Sequence, residues 1–432
     1  VTELDVARSP VPEPSRPARR IHPAWWVAVV TFLALVGAAA FRAVPGLLID
    51  PLHAEFGWSV GTISSAVAVN MALYGLTSPF AAALMERFGV RRVVVVALTV
   101  VAAGSGLTVF MTASWQLVFC WGLLVGLGTG SMAMSLVATV TGRWFVARRG
   151  LVSGVLTAGG AAGQLVFLPL VAVVSGQYGW RAAALGVAGA ALAVVPLVAW
   201  LLRDRPSDVG AAPYGGTEAD EPAVVRRGAA RLALRALRDA ARVRSFWFLA
   251  GGFMICGATT AGLIQPHFVP AAHDHGMPHT VAAGLLAVVG IFDIVGTVAS
   301  GWLTDRFDSR YLLLVYYVLR GVSLLMLPPL FGPELKPNML AFVIFYGLDW
   351  VATVPPTLAL CRMIFGDVAP VVFGWVFASH QVGAALAAFV AGVVRDRLGS
   401  YDLAWYGGGV LSILAGGLSM LVVASATRRR AP

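Results

Sequence analysis

Residues 84–92 read LMERFGVRR and residues 303–310 read LTDRFDSR, each closing a long apolar run. Both place an acid, an arginine and a phenylalanine in succession, and Glu86 and Asp305 stand 219 residues apart. A second pair of stretches, GQYGWRAA at 176–183 and DRLGSYDLAW at 396–405, puts Gly179 and Gly399 at a separation of 220. Gly154 and Gly374 share that interval. Three matches at one spacing mark a chain built as two tandem halves. Parallel halves of this kind place a binding site near the bilayer midplane, at their interface.

The sequence around these landmarks is that of a membrane protein. Of 432 residues, 58% are hydrophobic and only 12% charged, against roughly 25% charged and 45–50% apolar in a soluble domain. Runs of about 20 apolar residues, long enough to span a bilayer, recur throughout. The first-half spans are expected at 25–48, 59–84, 93–111, 115–140, 151–175 and 182–202. In the second half they fall at 246–270, 280–303, 311–330, 338–361, 371–394 and 403–424, helices 7 to 12. The fold class is therefore all-α, a polytopic membrane protein of twelve transmembrane helices arranged as two pseudo-symmetric six-helix bundles.

Charge placement sets the orientation. The net charge is +10, yet 25 of the 31 basic residues lie in alternate short loops, the middle segment 203–245 and the two tails, as the positive-inside rule requires of cytoplasmic segments. Shifting the count by one helix inverts the bias, so both termini are read as cytoplasmic. This distribution speaks for a lipid bilayer and against nucleic acid as the partner of the positive charge. Residues 1–23, rich in Pro and Arg, read as a disordered tail, and 425–432 as a basic one. No short apolar core with a small-residue cleavage site precedes helix 1, which opens on Trp25 and Trp26.

The bundles are assigned to 24–202 and 246–424, joined by a linker at 203–245. From Val224 to Arg244 the linker alternates Arg with Ala and Leu at helical spacing. An amphipathic helix lying on the cytoplasmic face and held by anionic lipid is expected. Cys120, Cys256 and Cys361 are dispersed in apolar segments, with no ligand spacing or disulfide framework. His267, His273, His275 and His279 match no metal motif and read as solvated surface. No cofactor or metal is implied, and no nucleophile–base pair or phosphate loop suggests an enzyme.

The repeat, the basic central segment and the loop signatures AALMERFGVRR (82–92) and GWLTDRFDSR (301–310) resemble the major facilitator superfamily. Ala82 replaces the usual leading glycine of the first copy. Within the superfamily, four stretches look like the monocarboxylate porter group: residues 56–89, TGRWFVARRGLVSGVLTAGGAAGQ at 141–164, YGWRAA at 178–183 and IFDIVGTVASGWLTDR at 291–306. Animal members of that group carry an Asp and an Arg four residues apart in helix 8. Asp293 matches the acid and Thr297 stands at the Arg position. Gly46, after Pro45, stands where those members carry a Lys. Helix 5 lacks the Gly-Pro step that marks drug–proton antiporters of the superfamily.

The loops are expected to gate. Glu86, Arg87 and Arg91 in the first half and Asp305, Arg306 and Arg310 in the second supply charges for ion pairs and for the dipole ends of facing helices, tying the cytoplasmic side shut in one state. The alternative is topogenic charge with no gating role.

Ionisable side chains at membrane depth are functional candidates by default. Arg42 in helix 1 lies one turn before Gly46 and faces nearly the same side. It is assigned to bind a carboxylate through its guanidinium fork; the alternative is snorkelling to the interface. Arg320 in helix 9 and Asp349 in helix 10 read as a structural ion pair, since the resemblance places helix 9 outside the central cavity. Asp293, which the resemblance puts on a cavity-lining helix, is the first candidate for proton coupling, with His380 the second. Asn70, Tyr74, Gln164, Gln265, His380 and Gln381 are candidate substrate contacts, each against ordinary helix packing.

The expected function is a secondary transporter moving a small organic anion by alternating access, with proton symport, acting as a monomer. The rival within transporters is proton-driven efflux of an amphipathic drug or metabolite; a transport-dead sensor or scaffold is a third class. One Lys against 30 Arg and heavy Ala, Val and Gly usage suggest a high-GC bacterium, and its inner membrane as the location.

Overall fold

The structure is a computed structural model that describes residues 21–58, 60–220 and 228–422; the side chains of residues 40–50 and of a few isolated positions lie outside the described set. Both predicted terminal tails fall almost wholly outside it. Ten helical runs among the described residues are long and apolar enough to cross a membrane. One of them, Pro337–Leu398, holds two helices joined by a single 3-10 turn, and Pro23–Phe56 adds helix 1, which completes twelve.

Helix 2 is Val60–Phe88, helix 3 Val90–Leu107 and helix 4 Ser114–Trp144. Helices 5 and 6 share the run Arg149–Leu201 and part at Gly179, whose φ of +83° and ψ of 164° reverse the chain in a conformation that a side chain resists. Helix 7 is Arg244–Asp274, helix 8 His279–Thr304 and helix 9 Ser309–Met326. Helix 10 comes in two pieces, Pro337–Asp349 and Val354–Phe365, followed by helix 11, Ala369–Leu398, and helix 12, Asp402–Met420. Wide turns interrupt helix 4 at Val118–Val125 and helix 7 at Ala258–Ile264.

Two seams join the halves. Along the first, helix 5 meets helix 8, where a Cβ on Gly154 would stand 2.6 Å from the Thr297 carbonyl oxygen. Along the second, helix 2 meets helix 11, where a Cβ on Gly374 would stand 2.6 Å from the Pro79 Cα. The glycines that share the 220-residue interval thus occupy equivalent places, because only a hydrogen side chain lets the backbones approach this closely.

A short helix, Ala229–Ala240, lies within the linker. Its apolar face does not look to lipid. Leu232, Ala233, Ala236 and Ala240 are buried against helices 2 and 11, and the Trp375 indole donates to the Ala233 carbonyl at 3.0 Å. The arginines Arg231, Arg235 and Arg238 remain exposed. Burying the alanine stripe on two helices removes more apolar area from water than one lipid-facing side would.

Candidate functional site

Pro355 and Pro356 lack the N–H groups that a continuous helix 10 would need, and the helix is unwound from 350 to 353 just ahead of them. Loose backbone at membrane depth must find partners inside the protein. The Arg320 guanidinium supplies several: Nη2 donates to the carbonyls of Asp349 at 2.6 Å and Trp350 at 3.2 Å, Nε to Asp349 Oδ2 at 2.6 Å, and Nη1 to Cys256 Sγ at 2.9 Å. From helix 8, Asp293 Oδ1 accepts from the Val351 N–H at 3.1 Å and from the Thr297 hydroxyl at 2.8 Å. Ser300 donates to the Ala352 carbonyl at 2.5 Å, and Cys256 meets the Thr353 hydroxyl at 3.3 Å.

This is one buried network on four helices. Arg320 is 1% exposed, Asp293 3% and Asp349 6%. Asp293 lies within electrostatic reach of both Arg320 and Asp349, and Asp349 Oδ1 is buried with no hydrogen-bond partner. With both acids ionised the cluster carries one net negative charge, and a single proton makes it neutral. A low-dielectric site favours the neutral arrangement.

The remaining candidates separate into groups. Arg42 lies in helix 1, but its side chain is outside the described residues. A small cavity of about 30 Å³ in the first half is lined by Leu35, Ala38, Tyr74, Met132, Thr157 and Gly160. Tyr74 also meets Phe377 of helix 11 edge-on, with ring centroids 5.4 Å apart. Asn70 donates through Nδ2 to the Trp121 carbonyl of helix 4 at 2.9 Å. Gln381 presses its Cβ and Cγ against Gly75 of helix 2, and His380 sits between the rings of Phe253 and Phe377. Gln164 is half-buried and Gln265 exposed. His267 is tied to the Ala388 carbonyl at 3.0 Å and His275 to that of Ala271 at 2.8 Å.

The six loop charges divide by sign. Asp305 Oδ1 and Oδ2 accept from the N–H groups of Gly150 at 2.7 Å and Leu151 at 2.9 Å, across the first seam at the start of helix 5. Glu86 pairs with Arg143 of its own half at 2.9 Å. The arginines turn outward. Arg87 lies on the Phe88 ring and Arg306 on the Trp302 ring, and Arg310 pairs with Asp308 at 2.6 Å, holding the Asp308 carboxyl below the usual range. Arg91 donates its backbone N–H to Asp204 Oδ1 at 2.8 Å.

On the face away from these loops, the ion pairs among the described residues stay inside one half. Glu55 of helix 1 pairs with Arg181 of helix 6 at 2.6 Å. Asp274 of helix 7 pairs with Arg395 of helix 11 at 2.7 Å. Glu55 and Asp274 are 219 residues apart, so each half fastens its rim with an acid at the same repeat position.

The twofold architecture, the close seams and the acid at each repeat of the loop signature agree with the sequence match. Residues 28–387 match the Major Facilitator Superfamily. The chain belongs to the major facilitator superfamily.

Within the superfamily, this transporter is 25% identical over 385 residues to the uncharacterized MFS-type transporter YcxA of Bacillus subtilis, covering 88% of this chain and 90% of that one. It is 27% identical over 377 residues to bovine (Bos taurus) monocarboxylate transporter 13, covering 86% and 83%. Against human (Homo sapiens) monocarboxylate transporter 11 the figures are 28% over 403 residues, 90% and 81%. Among solved structures, the superfamily transporter FucP in the outward conformation aligns with a TM-score of 0.69 at 16% identity, over 93% of this chain and 99% of that one. The proton:xylose symporter XylE aligns at 0.65 and 15%, over 92% and 94%. These likenesses establish the fold.

Several residues of this superfamily member escaped the sequence reading. Thr297, Ser300 and Cys256 serve the broken helix 10, and the Pro355–Pro356 pair was the signal for that break. Arg143 and Arg362 stand 219 residues apart in the repeat register of Glu86 and Asp305.

Proposed function

We propose that this transporter moves a small organic anion, a monocarboxylate or a close analogue, together with a proton by alternating access. The bundles at 24–202 and 246–424 would be the moving bodies. The loop face, rich in arginine, would lie in the cytoplasm of a bacterium and the chain would act as a monomer in its inner membrane. The observation that carries this reading is the asymmetry of the ties. Asp305 links the halves at the loop face, whereas Glu55 and Asp274 each close on their own half at the other. That pattern suits a state closed to the cytoplasm, and two monocarboxylate transporters are among its relatives.

Arg42 is the proposed carboxylate anchor and Asp293 the proposed proton carrier. A proton on Asp293 would weaken its grip on the Val351 N–H, so the proton's arrival would be felt as a change in the helix 10 break. His380, beside the second seam, is the alternative carrier. Symport with a proton makes anion uptake electrically neutral.

The test is uptake of labelled monocarboxylates into proteoliposomes, with and without an inside-alkaline gradient. Accumulation that collapses with a protonophore supports the reading. Unchanged accumulation in both Arg42→Ala and Asp293→Asn removes the residue assignment. The apolar lining of the first-half cavity, Leu35, Ala38 and Met132, favours the second reading, efflux of an amphipathic compound. That reading predicts resistance in cells and no carboxylate uptake.

A further inference from the structure

At the loop face, between the ends of helices 2, 4, 5, 10 and 11, lies a cavity of about 140 Å³. Its walls carry three guanidinium groups, Arg143 and Arg149 from the first half and Arg362 from the second, against two carboxylates, Glu86 and Asp367. The surplus is one positive charge.

Its construction is specific. Arg143 is 4% exposed; its Nη2 is held by Glu86 at 2.9 Å and the Met85 carbonyl at 3.2 Å, and its Nη1 by the Asp204 carbonyl at 3.3 Å. Its Nε is buried with no hydrogen-bond partner. Arg362 reaches across from helix 10 and lays its guanidinium over Gly142 of helix 4, in the space a Cβ there would need. Arg149 acts on Arg362 as a like charge and Asp367 as an opposite one. Like charges gathered in a partly dehydrated seam repel, and an anion relieves that repulsion. The volume admits an oxyanion with a water or two, given roughly 30 Å³ per water.

We propose that this cavity binds an anion of phosphate or carboxylate chemistry and that its occupancy holds the loop face closed. The guanidiniums come from both halves, so they converge only while that face is shut. A ligand that binds one state better draws the population to it. The site stands on the geometry alone; its effect on the gate rests on the alternating-access reading above.

The test uses the full chain in nanodiscs of phosphatidylcholine, titrated with inorganic phosphate against chloride of matched ionic strength. We expect a saturable rise in the unfolding midpoint of about 2–4 °C, absent in Arg362→Gln. Gly142→Ala keeps every charge but displaces the Arg362 guanidinium, and should abolish the rise as well. Repeating the titration in discs containing phosphatidylglycerol separates the sources. A rise already present without phosphate identifies a lipid headgroup, and an unchanged phosphate response identifies a free anion. Spin labels at Phe88→Cys and Phe307→Cys read the gate, and phosphate should shift the distances toward the shorter population. A midpoint rise with unmoved distances supports the site and overturns its coupling to the gate. No saturable rise in either lipid, or a rise of equal size in both variants, overturns the site itself.

Discussion

The Asp305 carboxylate sits on the first turn of helix 5, 2.7 Å from the Gly150 nitrogen, while its repeat counterpart Glu86 turns back to Arg143 of its own half. Two acids in equivalent positions therefore do different work. Asp305 faces the positive end of a helix dipole in the other half, and nearby glycines let the backbones close in: a Cβ on Gly150 would lie 2.4 Å from the Gly301 carbonyl oxygen. Glu86 neutralises a buried arginine.

Removing charge from Asp305 should shift the gate. Asp305→Asn gives up a charge-assisted contact worth about 0.5–2 kcal/mol, which lowers the closed-to-open ratio by roughly 2- to 30-fold. Distances between labels at residues 88 and 307 would record it. Glu86→Gln should instead lower thermal stability, by about 3–5 kcal/mol at most, because it leaves Arg143 buried without its carboxylate. A variant pair that behaved alike in both measurements would contradict the division of labour.

The helix 10 network makes a second prediction. Arg320→Met strands Asp349 and bares the carbonyls of residues 349 and 350, and should destabilise by about 3–5 kcal/mol. Adding Asp349→Leu removes the stranded charge but restores no donor to those carbonyls. The double variant should therefore recover only part of the loss. Full recovery in thermal unfolding would mean that the carbonyl contacts contribute little.

Proton coupling is addressed through Asp293. In Asp293→Asn, gradient-driven accumulation should fall at least about tenfold, the size of an effect of roughly 1.4 kcal/mol, while substrate exchange at equal pH persists. Thr297→Val removes one hydrogen bond to the same carboxylate, worth about 1 kcal/mol, and should move the pH midpoint of accumulation without abolishing it. Loss of exchange along with accumulation in Asp293→Asn would assign the residue to structure alone.

Glu55 offers a pH prediction away from the membrane core. Hydrogen bonds from Arg181 and Trp180 hold its carboxyl below the ordinary value of 4.5. A depressed folded-state pKa contributes stability above the unfolded value, and that contribution is lost as pH falls through the folded one. Stability owed to this group should therefore be flat at neutral pH and decline only below 4.5. Glu55→Gln should flatten that acid limb in a thermal-unfolding series and change little at pH 7, as expected of an exposed pair.

How much of this was legible beforehand can be judged residue by residue. The spans were readable because lipid demands long apolar runs, and the loop arginines gave their alternation. Asp293, Arg320 and Asp349 were conspicuous as charges among apolar neighbours. What they hold was not visible. The unwound turn at 350–353 makes its bonds to residues on helices 7, 8 and 9, and no local pattern encodes a partner so far along the chain. The amphipathic helix was readable between 224 and 244, and the structure forms it at Ala229–Ala240, but its cover, helices 2 and 11, was not readable.

The amino-acid sequence alone determined the repeat, the twelve helices and the class of protein, because apolar length, charge alternation and a fixed 219–220-residue interval are properties of the chain in one dimension. Only the tertiary structure decided which repeat acid bridges the halves, what the buried charges are paired with, and that the Arg362 guanidinium lies over Gly142 in a cavity it shares with Arg143. Those outcomes depend on which helix faces which, and that is set by close backbone contact at glycines whose neighbours lie in the other half.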